Sequence, residues 1–445
     1  MINTNIFKEI IIGPFFLRLI AYLSIWFFYT FYMHAYAPLG IGWLDWHQQT
    51  ISNFVDFLEI NGLFSFNGFS IWSSCEECDL DSNYWVENIY ITRHSISYFP
   101  YLILNHLFKK EFFLILASML DKFIIFITGL IISELAVILL RNSSSLPKII
   151  ISGVCFSLFI INPWTYKMFI AGWTEVYFLA FTLFGLFAFS FKYYRLGLVF
   201  FFCAGIFHYQ WATLILFFYM VILTSQLLVK DPLILINYLP TTDLRINIKT
   251  AISLFIPIFG YLLARTYTEM SLSNTEGSRL LYRIGISGDD IHNGGLLGSL
   301  QFLAGNRVSK CIEGMDLSMI SMQLDMKIAL FNCLLSLGTM LVISIIAIIG
   351  ALKLIKLIDA SRKILVPLLF ALITMICIFQ QSLSVHLMGY SYIFSVFFAL
   401  GLTTMLLLSF DSIKSNIIKT CFIAPIVVGI LITCIRVSFL TGAGV

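Results

Sequence analysis

Two short stretches place ionisable side chains where an apolar run meets polar chain. The first is Gly42-Trp43-Leu44-Asp45-Trp46-His47-Gln48-Gln49, just beyond an apolar run that ends near residue 35. Its carboxylate falls at a membrane–water boundary, between two tryptophans of the kind that collect at such interfaces. From there it can meet a lipid head group and a soluble acceptor together. A solvated loop aspartate between anchoring tryptophans is the plainer alternative. The second stretch is Ala171-Gly172-Trp173-Thr174-Glu175-Val176, which opens a run that is otherwise almost wholly apolar. Thr174 and Glu175 suit a helix amino terminus as simple capping residues. Against that, ionisable groups at membrane depth are costly and usually mark a pathway or a site.

The elements that must hold these groups follow from composition. The chain has 445 residues, 59% hydrophobic and 11% charged, with mean hydropathy +0.93, which exceeds the apolar content of about 45–50% in soluble domains. A water-soluble globule is excluded. The formal charge of +3 is too small and its basic residues too dispersed for a nucleic-acid surface. The run at residues 10–36 is longer than a signal-peptide core and lacks a small-residue cleavage site, so it reads as a retained first span.

Apolar runs read against Lys/Arg clusters predict spans near 11–35, 121–140, 149–166, 173–191, 196–210, 212–228, 250–268, 328–351, 364–380, 387–409 and 416–437. The chain thus reads as an all-α, polytopic transmembrane bundle of about eleven helices. Arg141, Lys148, Lys192, Arg195, Lys230, Arg245, Lys249, Lys353, Lys356, Arg362, Lys363, Lys414 and Lys419 fall in the short connections, which puts those and the amino terminus on the cytoplasmic side. Residues 196–228 are too many for one upright helix, and a break is expected at His208-Tyr209-Gln210-Trp211, facing a cavity. Two long outer loops remain, 37–120 and 269–327. The first is acidic over 37–93, and its 96–120 part alternates apolar and polar residues as an interfacial amphipathic helix does. The second is polar and glycine-rich.

Taken together, the first helix, the long outer loop opening on an aspartate, Asn61-Gly62-Leu63, Tyr98-Phe99-Pro100-Tyr101 and the Ala-Gly-Trp-Thr-Glu stretch resemble the GT-C superfamily of polyprenyl-phosphate-sugar-dependent glycosyltransferases. The likeness covers roughly residues 10–230. Where that family has an acidic pair after the first helix, this chain has Asp45-Trp46, followed by His47. The resemblance implies Asp45 as catalytic base, Glu175 as an acidic residue at the outer rim of the active site, and a polyprenyl-phosphate-sugar donor with a glycan or lipid acceptor at the non-cytoplasmic face of the inner membrane.

The residues themselves suit that chemistry. In an inverting transfer a carboxylate takes the acceptor hydroxyl proton as the oxygen attacks the anomeric carbon, helped by partial burial. The leaving lipid phosphate needs cations or a divalent metal, Mg or Mn, to stabilise its charge. Arg307 in Ala304-Gly305-Asn306-Arg307 is the first choice, on a turn that glycine and asparagine permit; a solvated surface arginine is its plain alternative. Arg93-His94 precedes the interfacial segment and suits a phosphate, His208 faces the expected cavity, and His386 opens the tenth run, where it can line the same space.

Competing readings are an O-antigen polymerase, for which a short first outer loop would be expected, and a transporter or flippase. The last commonly shows repeats and matched helix breaks, and the sequence suggests only the His208 break. Charged residues deep in the runs are few, Arg18 and Glu134 being the clearest. Six cysteines, Cys333 among them, lie in apolar runs as small hydrophobes. Cys75-Glu76-Glu77-Cys78 has zinc-like spacing without a second pair, so no metal site is assigned; Cys75 or Cys78 could instead pair with Cys311 on an oxidising face.

Overall fold

The computed structural model describes residues 14–36, 51–52, 55–59, 69–71, 89–108, 110–140, 146–171, 175–228, 241, 243–271, 296–305, 324–378, 392–411 and 413–442. Its helices are α1 (Pro14–Tyr36), α2 (Phe99–Leu107), α3 (Lys110–Leu140), α4 (Lys148–Ile161), α5 (Pro163–Ala171), α6 (Glu175–Ser190), α7 (Tyr194–Phe207), α8 (Tyr209–Leu228), α9 (Leu244–Ser271), α10 (Leu296–Leu303), α11 (Leu324–Leu357), α12 (Asp359–Ile378), α13 (Phe394–Ser409) and α14 (Asn416–Gly442). Each of the eleven apolar runs overlaps described helical residues, the run 149–166 being divided between α4 and α5. Ile115–Leu140, Leu244–Thr268, Leu330–Leu357 and Asn416–Ser438 are long and apolar enough to cross a membrane, and α1, α4, α6, α7, α8 and α13 carry shorter apolar stretches. The protein is a helical, membrane-embedded bundle.

Four expectations change. The run 149–166 is split at Asn162, because a residue before proline is disfavoured in the α region and Pro163 then opens α5. The fully buried Asn162 side chain closes the break: Nδ2 donates to Leu158 O (3.0 Å) and Phe159 O (2.6 Å), and Oδ1 accepts from Thr165 N (2.8 Å). The 96–120 segment is not one interfacial helix: residues 110–120 belong to α3, which runs unbroken past Asp121. The described part of 37–120 also contains a two-stranded antiparallel ribbon, β1 (Phe69–Ile71) and β2 (Ile89–His94), with a bulge at Phe69/Ser70. Finally, Cys333 is disulfide-bonded rather than a small hydrophobe; the expected pairing of Cys75 or Cys78 with Cys311 lies outside the described residues.

Two kinds of contact hold the bundle. Where α11 crosses α13 there is no room for side chains: a Cβ at Gly350 would collide with the Gly401 carbonyl, and one at Gly401 with the Ala347 carbonyl. Small residues of this kind let helix backbones approach in lipid, where apolar surface gains little by leaving hydrocarbon. Elsewhere aromatic rings interdigitate, as where Trp26 of α1 meets Phe126 of α3 and Phe169 of α5 edge-on at 5.5 and 5.6 Å.

The two deep charges of the sequence find each other. Arg18 Nε and Nη2 donate to Glu134 Oε1 and Oε2 at 2.8 and 2.7 Å, and the Tyr22 hydroxyl donates to Oε1 at 2.8 Å. This fork of α1 on α3 forms only if the first turns of α1 and the last turns of α3 lie at one level, so the two helices run antiparallel. Removing one partner of a buried pair costs about 3–5 kcal/mol, more than replacing both. Arg18→Leu is therefore expected to lower the midpoint of thermal unfolding in detergent, and the double change with Glu134→Leu to recover much of it. A double variant less stable than either single one would refute this account.

Candidate functional site

The chain breaks between α7 and α8 at one residue, His208, whose backbone leaves the helical region (φ −152°, ψ 87°). Its imidazole makes the break tolerable, because Nδ1 accepts from the Trp211 amide at 3.4 Å, as a capping side chain does at a helix start. With Nδ1 used as acceptor, the neutral ring carries its proton on Nε2. That nitrogen stands 3.1 Å from Glu175 Oε1, to which it donates. The residues are only 6% and 4% exposed.

Glu175 is thus not a solvated capping group. It is the first residue of α6, and its carboxylate turns inward to the break in the neighbouring hairpin. The break itself is accommodated by burial, not by an open cavity: His208 and Trp211 are buried and Tyr209 and Gln210 half-buried. The 16 residues of α6 and 14 of α7 put Glu175 and His208 about 21–23 Å from the helix ends flanked by Lys192 and Arg195, against a hydrocarbon core of about 30 Å. Both groups therefore lie at the ends of their helices remote from those lysines and arginines.

A second buried carboxylate lies nearby. Asp121 Oδ1 accepts from the hydroxyls of Tyr101 (2.7 Å) and Tyr177 (2.8 Å). Burial first, and the negative charge of Asp121 after it, raise the Tyr101 phenol well above its ordinary range, so it remains a donor. Tyr177 lies on α6 two positions beyond Glu175, and its ring stacks on Phe207 at 4.8 Å. Asp121 stands at the predicted edge of the 121–140 span, where sequence reasoning passes it over; its signal is the Asp121-Lys122 pair, set between the apolar stretches 112–120 and 123–132 of one helix.

Residues 89–98 rest against α7 and α9. Strand β2 contacts α9, and the 3-10 turn Ser95–Tyr98 contacts α7. Arg93 and His94, the last residues of β2, thus lie on a strand seated on α9, and the turn that follows them is seated on α7, the helix that ends at the His208 break. From the second loop, α10 is pinned to the bundle: Trp164 Nε1 donates to Phe302 O (3.2 Å) and Ser344 Oγ to Leu303 O (2.7 Å). Gly305 ends it with φ +76°, pressed against Pro163 and Val437, which is the tight glycine turn expected there. Arg307 lies outside the described residues, as do Asp45, His47 and His386.

Among the described residues no group of three or more His, Cys, Asp or Glu could hold a metal ion. Asp121 Oδ1 is occupied by two phenols and Glu175 Oε1 by an imidazole, so these side chains do not assemble a donor set for Mg or Mn. Compared with models of known protein families, with curated proteins and with solved structures, the chain matches none.

Proposed function

We propose that this chain is an integral membrane glycosyltransferase. It moves a sugar from a polyprenyl-phosphate-linked donor to a cell-envelope glycan or lipid acceptor on the non-cytoplasmic face of the cytoplasmic membrane. The observation that carries the reading is the buried Glu175–His208 pair, 3.1 Å apart at a helix break, with the turn that follows Arg93 and His94 seated on α7, the helix that ends there. Fixed polar groups at a helix interruption inside an apolar bundle are costly and suit a site where polar chemistry meets a lipid.

The topology we propose has eleven spans with the amino terminus in the cytoplasm. The Arg18–Glu134 fork supports opposite directions for α1 and α3. The disulfide at Cys333, in the half of α11 away from Lys353 and Lys356, supports an oxidising compartment on the loop side.

In the reaction, Asp45 takes the acceptor proton while the acceptor oxygen bonds to the anomeric carbon. The bond from that carbon to the phosphate oxygen breaks, and the electron pair leaves with the lipid phosphate. Arg93, His94 and Arg307 supply positive charge or donors to that phosphate, and His386 and His47 flank the acceptor. His208, held by Glu175 on one nitrogen and by the Trp211 amide on the other, is a positioning residue that fixes the α7–α8 break beside the sugar.

The second helix break, at Asn162, favours one other reading, a lipid-linked-oligosaccharide flippase, since paired breaks occur in transporters. A single assay separates these, with polymerase as a third outcome. The purified protein in liposomes is supplied with a panel of radiolabelled polyprenyl-phosphate sugars and an envelope glycan extract. Label passing singly to the acceptor is expected. Donor that stays intact while crossing the bilayer identifies a flippase, and lipid-linked chains that lengthen identify a polymerase; either result overturns the proposal. Mass analysis of surface glycans with and without the gene then identifies the sugar.

A further inference from the structure

We infer that Tyr101, Asp121 and Tyr177 form a positioning clamp that holds residues 89–107 of the first outer loop over the Glu175–His208 pair. Its place in catalysis rests on the transferase reading above. One carboxylate oxygen on α3 accepts from a phenol on α2 and a phenol on α6, at 2.7 and 2.8 Å, so a single acceptor joins three elements.

Helix α2 depends on that bond more than the others do. It has nine residues, with Tyr101 its only buried one, while Phe99, Ile103 and Leu107 point away from the core. Helices below about 12–15 residues are marginal alone, so α2 persists through its tertiary anchor. The 3-10 turn and β2 precede it directly, and their seats on α7 and α9 are set by where α2 is held.

Tyr177 links this anchor to the site. Its ring stacks on Phe207 at 4.8 Å, and Phe207 stacks on Phe181 at 5.4 Å. The stack fixes α6 against α7, with Glu175 two residues before Tyr177 and His208 one residue after Phe207. The phenol then ties that register to the loop. Lys122, the next residue on α3, lies over the Phe169 ring at 4.9 Å and acts on Asp121 through its charge, so the hydrogen bonds to Asp121 Oδ1 come from the phenols.

Hydrogen exchange on the full chain in nanodiscs tests the clamp without reference to activity. Tyr101→Phe and Asp121→Leu are expected to speed exchange over 89–107 by about 10- to 100-fold, the worth of a charge-assisted hydrogen bond, while α4 and α13 keep their protection. Asp121→Asn, whose amide oxygen still accepts, should remain within a few-fold of the parent. Unchanged exchange in Tyr101→Phe, loosening spread evenly over the bundle, or Asp121→Asn as loose as Asp121→Leu would each overturn the clamp. In the transfer assay Tyr101→Phe should lower kcat/KM about tenfold. Local loosening in a protein inactive on every donor would sustain the clamp and sink the transferase reading.

Discussion

Glu175→Gln is expected to reduce sugar transfer by about 100-fold, the loss that misplacing a positioned group causes, while the protein still elutes as a folded species in detergent. The amide keeps the size of the carboxylate and can still accept from His208 Nε2, 3.1 Å away, so the break between α7 and α8 keeps its cap. What is lost is the charge that orients the imidazole. His208→Gln should give a loss of similar size, since glutamine retains a donor but not a ring. If the two act as one unit, the double variant will be little worse than either single one, because residues that work together are not additive. Multiplicative losses, or single variants with activity near that of the parent, would remove the pair from the mechanism. His208→Ala is a poorer choice, because it deprives a buried carboxylate of its imidazole and costs about 3–5 kcal/mol of stability.

That pair was partly legible in the sequence, and the reason shows where such reading stops. Apolar runs and Lys/Arg placement located a helix at every expected position, because length and charge are local properties of the chain. The break at His208 was visible because residues 196–228 carried too many apolar residues for one span and basic residues at both ends. The break at Asn162 was not, although Pro163 was in plain view, since a proline within a span commonly kinks a helix without ending it. Glu175 and Asp121 illustrate a harder limit. Each has a capping or boundary explanation that satisfies local rules, and only the side chains from other helices, His208 for one and Tyr101 and Tyr177 for the other, show it to be buried and bonded. Pairing between elements far apart in sequence has no local signature. The Arg18–Glu134 fork, 116 positions apart, is of the same kind: both residues stood out singly, and neither pointed to the other.

Asp45→Asn is expected to have the largest effect of all, abolishing transfer while expression and membrane insertion stay normal. The amide preserves shape and hydrogen-bonding capacity but cannot take a proton, so an acceptor hydroxyl that needs a base loses its driving force. Burial disfavours Glu175 as the base: it is only 4% exposed and engaged with His208, and a base must reach a hydroxyl on an incoming glycan. Asp45 follows α1 after a few residues, in the loop whose later segment β2 rests on α9, and tryptophans on either side suit a residue held at the interface. The assignment divides labour between the carboxylates: Asp45 takes the proton, and Glu175 fixes the imidazole that positions the sugar. It also fixes the order of effects, since donor binding should survive in Asp45→Asn and weaken in His208→Gln. Photo-crosslinking with a labelled polyprenyl-phosphate sugar reads binding separately from turnover. Donor capture lost in Asp45→Asn but retained in His208→Gln would exchange the two roles, and turnover retained in Asp45→Asn would move the base to Glu175.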